Sequence, residues 1–152
     1  MTHPDRVVRT GVIGLGYWGP NLARNLADHA RSELSWLCDL DPKTLAKAAA
    51  RYPGVRTTTD IGEMLADPDL DAVAIITPVS THHALAIAAL GAGKHVFVEK
   101  PLALNVPDCE RVAVYGSAPA ALLGTAHAKA GELIPGRLLA PTEIQQILQS
   151  PS

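Results

Sequence analysis

The sequence predicts a doubly wound α/β fold, an open and mostly parallel sheet with helices on both faces. Three observations predict it. Short apolar runs alternate with helical patterns of about 10–15 residues, the rhythm of repeated βαβ units. A glycine-rich turn separates the first apolar run from the first helix. The run 72–76 is apolar at every position, as a strand covered on both faces requires. Helical crossovers between parallel strands are right-handed, so successive units clothe both faces of one sheet.

The elements follow in order. Residues 7–13 form the first strand, and a helix after the glycine turn carries Leu22, Ala23, Leu26 and Ala30 at helical spacing. Residues 34–38 form the second strand. Asp41 is placed as an N-cap and Pro42 at the first position of an Ala-rich helix, 43–51, closed by Pro53-Gly54. A short third strand, 55–58, precedes Asp60 and Glu63, whose capping-box spacing opens a helix through Met64 and Leu65. Asp67-Pro68-Asp69 ends that helix. The fourth strand is 72–76, a helix over 81–90 stops at Gly91, the fifth strand is 95–98, and a last helix covers 106–115. Beyond Tyr115 the pattern fails. Residues 116–152 are rich in Ala, Leu, Gly and Pro, with no clear strand and only 141–149 suggesting a helix.

Composition narrows the function. A chain of 152 residues with 47% hydrophobic content suits a single domain with a real core. A net charge of -2 gives no electrostatic case for nucleic acid or an anionic membrane. No apolar run approaches the roughly 20 residues of a membrane helix, and residues 1–6 show no signal-peptide core. Cys38 and Cys109 stand apart from any C-x-x-C motif, which points to a reduced, cytoplasmic setting. The histidines have no metal-ligand spacing, so no metal site is expected.

Gly14-Leu15-Gly16-Tyr17-Trp18-Gly19 is a G-x-G-x-x-G turn in the context that gives the motif meaning, between a strand and a helix. Gly14 takes backbone angles closed to other residues, Gly16 lets a pyrophosphate approach the main chain, and Gly19 lets the helix pack against the strand. The helix N-terminus offers amides and a positive dipole end to the phosphates. The predicted fold is therefore of the Rossmann type, with a dinucleotide as ligand. Asp39 ends the second strand, 20 residues after Gly19, where the fingerprint places an acid on the adenosine ribose hydroxyls. Its charge repels a 2′-phosphate and Leu40, not Arg, follows it, which favours NAD over NADP. The plainer reading of Asp39 is a turn cap. Tyr17 and Trp18, within the cofactor turn, are read as packing residues, with Trp18 also placed to shield the pyrophosphate.

Ligands of open α/β sheets bind at the carboxyl ends of the strands, and two polar motifs fall there: Thr77-Pro78-Val79-Ser80-Thr81-His82-His83 and Glu99-Lys100-Pro101. Lys100 is positioned to orient a substrate hydroxyl or tune its proton affinity, and Glu99 to pair with it. The alternative is a solvated Glu-Lys pair.

The glycine turn with its strand, residues 11–19, the Thr77-Pro78 and Thr81-His82 segment, and residues 92–102, which end in Glu99-Lys100-Pro101-Leu102, together resemble the Gfo/Idh/MocA family in order and spacing. This is the family of glucose–fructose oxidoreductase and inositol dehydrogenase. The resemblance covers about 7–114. It implies NAD(P)-dependent oxidation or reduction of a sugar, nucleotide sugar or cyclitol. It implies Lys100 as the catalytic residue beside nicotinamide and substrate, Pro101 shaping that loop, and Thr77, Pro78 and His82 lining the cofactor cleft. For His82 the alternative is a helix-start residue touching only solvent. The segment 16–21 is similar to members acting on nucleotide-linked sugars. Members also carry a second α/β domain that supplies most of the substrate pocket. The expectation is accordingly an NAD(P)-binding domain over 1–115 and a divergent tail over 116–152, disordered or frame-shifted, the family's C-terminal domain being absent from a truncated chain. A sugar-type substrate then needs completion of the site by another domain. A plain NAD(H)-binding module, or a non-catalytic remnant, is the alternative function. Oligomeric state is left open.

Overall fold

A computed structural model describes residues 7–117. Five strands and five helices alternate. They are β1 (Val8–Ile13), α1 (Gly19–Asp28), β2 (Ser32–Cys38), α2 (Pro42–Arg51), β3 (Arg56–Thr58), α3 (Ile61–Leu65), β4 (Ala72–Ile75), α4 (Val79–Gly91), β5 (His95–Val98) and α5 (Val106–Ser117). All strand pairs are parallel, in the order β3-β2-β1-β4-β5. The predicted doubly wound sheet is the fold observed.

Alternation along the strands divides the core into two layers. Val12, Leu37 and Ala74 face α1 and α2 and meet Ala23, Leu26 and Leu45. Their neighbours Ile13, Trp36, Val73 and Ile75 face the other way and meet Met64, Ala86, Leu90 and Val112 of α3, α4 and α5. Successive side chains of a strand point to opposite faces, so a run such as 72–75 must be apolar throughout to serve both layers.

Element ends depart from the sequence reading where polar side chains decide them. β2 begins at Ser32, because Ser32 pairs with Val8 and its hydroxyl lies 3.1 Å from Thr10 Oγ1, a contact that hydropathy does not register. α1 ends at Asp28, leaving Ala30 outside. α4 begins at Val79, since the Thr81 amide already donates to the Pro78 carbonyl at 2.9 Å. Asp41 caps α2 as expected, accepting from the Lys43 and Thr44 amides, and Pro42 opens the helix. The hydrogen bond from the Thr44 hydroxyl, followed by that from the Lys43 amide, holds the Asp41 carboxyl below its ordinary value. The capping box at α3 does not form. Asp60 accepts from Gly62 N–H at 2.8 Å, but Glu63 takes the Thr58 hydroxyl instead of reaching back to the Asp60 amide, which donates to Thr58 Oγ1. The last helix runs to Ser117. The rest of the tail, including the suggested helix over 141–149, lies outside the described residues, as does 1–6. Among the described residues no helix is long and apolar enough to cross a membrane.

The amino ends of the strands are tied by a closed polar network. The Asp67 carboxylate accepts from the Trp36 indole at 2.7 Å, from the Asp69 amide and from the Arg56 guanidinium, which also lies over the Trp36 ring. Lys94, only 6% exposed, donates to the Asp67 carbonyl at 2.6 Å, and Asp71 accepts from the Arg9 amide. Burial acts to raise the Asp67 carboxyl, but the Trp36 and Asp69 hydrogen bonds with Arg56 and Lys94 outweigh it and hold the carboxyl below its usual range. Burial pushes the Lys94 ammonium down, against the opposing pull of Asp67, Asp71 and Asp69.

Candidate functional site

The direction of winding reverses between β1 and β4. β1 continues into α1 on one face, whereas β4 continues into α4 on the other. Such a reversal opens a crevice at the carboxyl ends of the two strands. The glycine turn leaves β1 there, with Asp39 beyond β2 on one side and Thr77 and Lys100 beyond β4 and β5 on the other.

Backbone geometry fixes the turn. Gly14 has φ +94°, and a Cβ placed on it would stand 2.6 Å from the Ile76 carbonyl oxygen, so strain and space both require glycine. A Cβ at Gly19 would collide with the Gly14 carbonyl oxygen, because α1 starts directly against the turn. At Gly16 a Cβ would meet nothing within 4 Å, which leaves an open approach to the main chain. Trp18 occupies the N-cap of α1 without a side-chain capping bond, and no acid stands in the first turn. The positive end of the helix dipole is thus left uncompensated beside that opening. An open main-chain cradle at a bare helix N-terminus fits a pyrophosphate.

Asp39 joins the turn to the end of β2. Its Oδ2 accepts from the Leu15 amide at 2.7 Å and its Oδ1 from the Asp41 amide at 2.9 Å. A carboxylate has about four lone-pair positions, so two remain beyond these bonds. The cap that the sequence offered as the plainer alternative is present, and it ties Asp39 to the glycine turn itself. Beside it, burial, then the charges of Asp39, Asp60 and Glu63, push the Cys38 thiol up to about 11.

Tyr17 and Trp18 require a correction. They do not pack into the core. Tyr17 is 86% and Trp18 55% exposed, and their rings stack edge to face on each other at 5.2 Å. Leu15 takes the position under the turn, so the two residues after Gly16 project away from the sheet.

Beyond β4 and β5 lies a second corner. The Glu99 amide donates to the Ile75 carbonyl at 3.0 Å. Lys100 is exposed and precedes a cis peptide to Pro101. Among the described residues no ion pair joins Glu99 and Lys100, contrary to the expected pairing. Thr77 borders the glycine turn, its Cγ2 standing 2.9 Å from a Cβ built on Gly14. The Thr77 hydroxyl accepts from the Thr81 hydroxyl at 2.7 Å, and Pro78 caps α4.

His82 neither lines an open cleft nor faces solvent, and both expectations for it are corrected. It is 1% exposed, with Nε2 at 2.7 Å from the Thr77 carbonyl oxygen and Nδ1 at 2.8 Å from the Pro101 carbonyl oxygen. The sequence held the signal: His82, Ala86, Ala89 and Leu90 share one helical stripe, and all are buried. Among the described residues no group of three or more His, Cys, Asp or Glu side chains is placed to hold a metal ion.

The sheet order, the reversal and the glycine turn define a dinucleotide-binding Rossmann domain. Residues 8–118 match the model of the Gfo/Idh/MocA oxidoreductase family, described as having an NAD-binding Rossmann fold. The chain belongs to that family. It is 38% identical over 109 residues to an inositol 2-dehydrogenase of Acidothermus cellulolyticus, a match covering 71% of this chain and 32% of the relative. GenD2 from gentamicin A biosynthesis, solved in complex with NAD, is similar in structure, with a TM-score of 0.70 at 34% identity over 72% of this chain and 31% of that one. The WlbA dehydrogenase of Bordetella pertussis, solved with NADH and UDP-GlcNAcA, gives 0.68 at 36% identity over 73% and 32%. The match thus spans about a third of the length of these relatives.

Proposed function

We propose that this chain binds NAD(H) at the carboxyl end of its sheet and presents the nicotinamide to a hydroxyl of a cyclitol, sugar or nucleotide-linked sugar for hydride exchange. The observation that carries the reading is the open cradle at Gly16, set between Asp39 and Lys100 at the point where the winding reverses. β2 and β5 lie three strand spacings apart, about 14 Å. That span suits a dinucleotide laid across the crevice, adenosine toward Asp39 and nicotinamide toward Lys100.

Each residue has a task in this reading. The turn amides and the α1 N-terminus hold the pyrophosphate. The free lone pairs of Asp39 accept the ribose hydroxyls, and its charge disfavours a 2′-phosphate. Tyr17 and Trp18 stand beside the pyrophosphate as an exposed aromatic flank. Pro78, Glu99 and Pro101 shape the walls near the nicotinamide. Lys100 Nζ hydrogen-bonds the reacting hydroxyl oxygen, orienting it toward the nicotinamide and tuning its proton affinity. The bound nicotinamide supplies the hydride acceptor or donor. The dinucleotide site falls within 1–115, and the remaining wall of the substrate pocket comes from another domain. Inositol and nucleotide-sugar relatives support the substrate class.

Titration of the chain into NADH, followed by nicotinamide fluorescence, tests the reading. Saturable binding, tighter than that of NADPH and weakened in Asp39→Ala, is expected. Absence of saturation in a folded sample contradicts it. Turnover of NAD with a cyclitol and sugar panel, alone and with a co-encoded partner, then separates an oxidoreductase from a module that only binds NAD(H).

A further inference from the structure

Past Glu99 the two corners at the nicotinamide end lose their backbone connection. The Glu99 amide to the Ile75 carbonyl is the last main-chain bond between β4 and β5 among the described residues. Two residues further on, Pro101 has no N–H to continue the ladder. The carbonyls left facing the gap, of Thr77 and Pro101, are both acceptors and cannot bond each other. A side chain that reaches both carbonyls and donates to at least one can join the two corners. His82 stands there, buried, with one ring nitrogen at hydrogen-bonding distance from each carbonyl.

We infer that His82 is a positioning residue that joins the β4–α4 corner to the Lys100–Pro101 corner and so sets where Lys100 meets the nicotinamide half of the cofactor. The inference rests on the dinucleotide reading above. Three features support it. The ring is held in the core stripe of α4, so its height above the sheet is fixed by Ala86 and Leu90 one and two turns along. One contact is to the residue immediately after Lys100, so moving that carbonyl moves Lys100. The other is to Thr77, which borders Gly14, so the same ring references Lys100 to the phosphate turn.

The location makes the inference testable with two ligands. ADP-ribose carries the adenosine, pyrophosphate and second ribose but no nicotinamide. His82 lies on the β4–β5 side, remote from Asp39 beyond β2, so its loss should act on NADH and spare ADP-ribose. In His82→Phe, which donates to neither carbonyl, the preference of the chain for NADH over ADP-ribose is expected to fall roughly tenfold, the size of one or two lost hydrogen bonds. His82→Gln, which still donates to one carbonyl, should restore part of it. Equal weakening of both ligands, or an unchanged preference in both variants, overturns the inference and leaves the cofactor reading intact. A wild-type chain that binds neither ligand overturns both. If His82→Phe fails to fold, His82→Gln carries the comparison. In the wild-type chain, a ring N–H of His82 protected from solvent exchange supports the bridge, and exchange at free-imidazole rates contradicts it.

Discussion

The two ends of the sheet are built from similar residue types and do opposite things with them. At the amino end, Asp67 gathers the Trp36 indole and the Arg56 guanidinium on its carboxylate and Lys94 on its carbonyl, and Arg56 also lies over the Trp36 ring. At the carboxyl end, three polar side chains clamp the backbone of the corners: Asp39 accepts from the Leu15 amide, His82 reaches two carbonyls, and Asp41 holds the start of α2. The corners are thereby held while Lys100, the remaining Asp39 lone pairs and the cradle at Gly16 face outward. A closed network stabilises, whereas a set of backbone clamps organises a surface for something else to complete. The proposed function assigns binding to the carboxyl end.

The largest expected effect breaks the carboxyl end. Gly19→Ala forces a methyl against the Gly14 carbonyl and pushes α1 off the turn. NADH affinity of the folded fraction should fall at least about 100-fold, near 2.7 kcal/mol, measured by fluorescence titration. Retained affinity would show that the turn is not the phosphate site.

That glycine turn was also the most legible part of the chain. Periodicity placed all five strands and their helices; β4 is apolar at every position because it is buried on both faces, and the more polar β1, β2 and β3 were read from their place between helical patterns. The turn and Asp39 were readable because dinucleotide binding imposes spacing on the backbone itself. His82 was visible as a residue but not as a bridge, since its partners are carbonyls 5 and 19 positions away, and carbonyls leave no trace in sequence. Glu63 was misplaced for a similar reason, as Thr58 from the preceding strand outcompeted the local cap. Tyr17 and Trp18 were misread because aromatic character suggested burial, whereas their place on an outward turn decides exposure.

The next effect sharpens the comparison from the amino end. Asp67→Ala leaves the Trp36 indole without its acceptor and Arg56 without its partner. Stability should drop by about 2–3 kcal/mol, seen in denaturant melts, with the NADH affinity of the folded fraction unchanged. Because the Asp67 carboxyl is held below its unfolded value, its contribution is complete above that value, about 3.9, and is lost as pH falls through the folded one. The gap between wild type and variant should therefore narrow below about pH 4. A variant that binds NADH more weakly while folding normally would dissolve the distinction between the two ends.

Asp39→Ala removes the turn clamp and, on the proposed function, the ribose acceptor, and a loss of roughly tenfold in NADH affinity is expected. NADPH should lose less, because the repulsion of its 2′-phosphate disappears with the carboxylate. Equal losses for both cofactors would remove Asp39 from the ribose. The smallest effect is at Cys38, next to Asp39 in sequence but turned into the core. With its thiol near 11, it should stay unmodified by a disulfide reagent at about pH 8 in the folded chain and react on unfolding. Rapid labelling of Cys38 in the native state would mean that the end of β2 opens.

Amide chemical-shift mapping of the chain with NADH compares the two ends in one experiment. The account predicts perturbations at Gly14, Gly16, Gly19, Asp39, Thr77 and Lys100, with Arg9, Trp36, Asp67 and Lys94 unmoved. Shifts concentrated at the amino end, or none at saturating NADH, would contradict it.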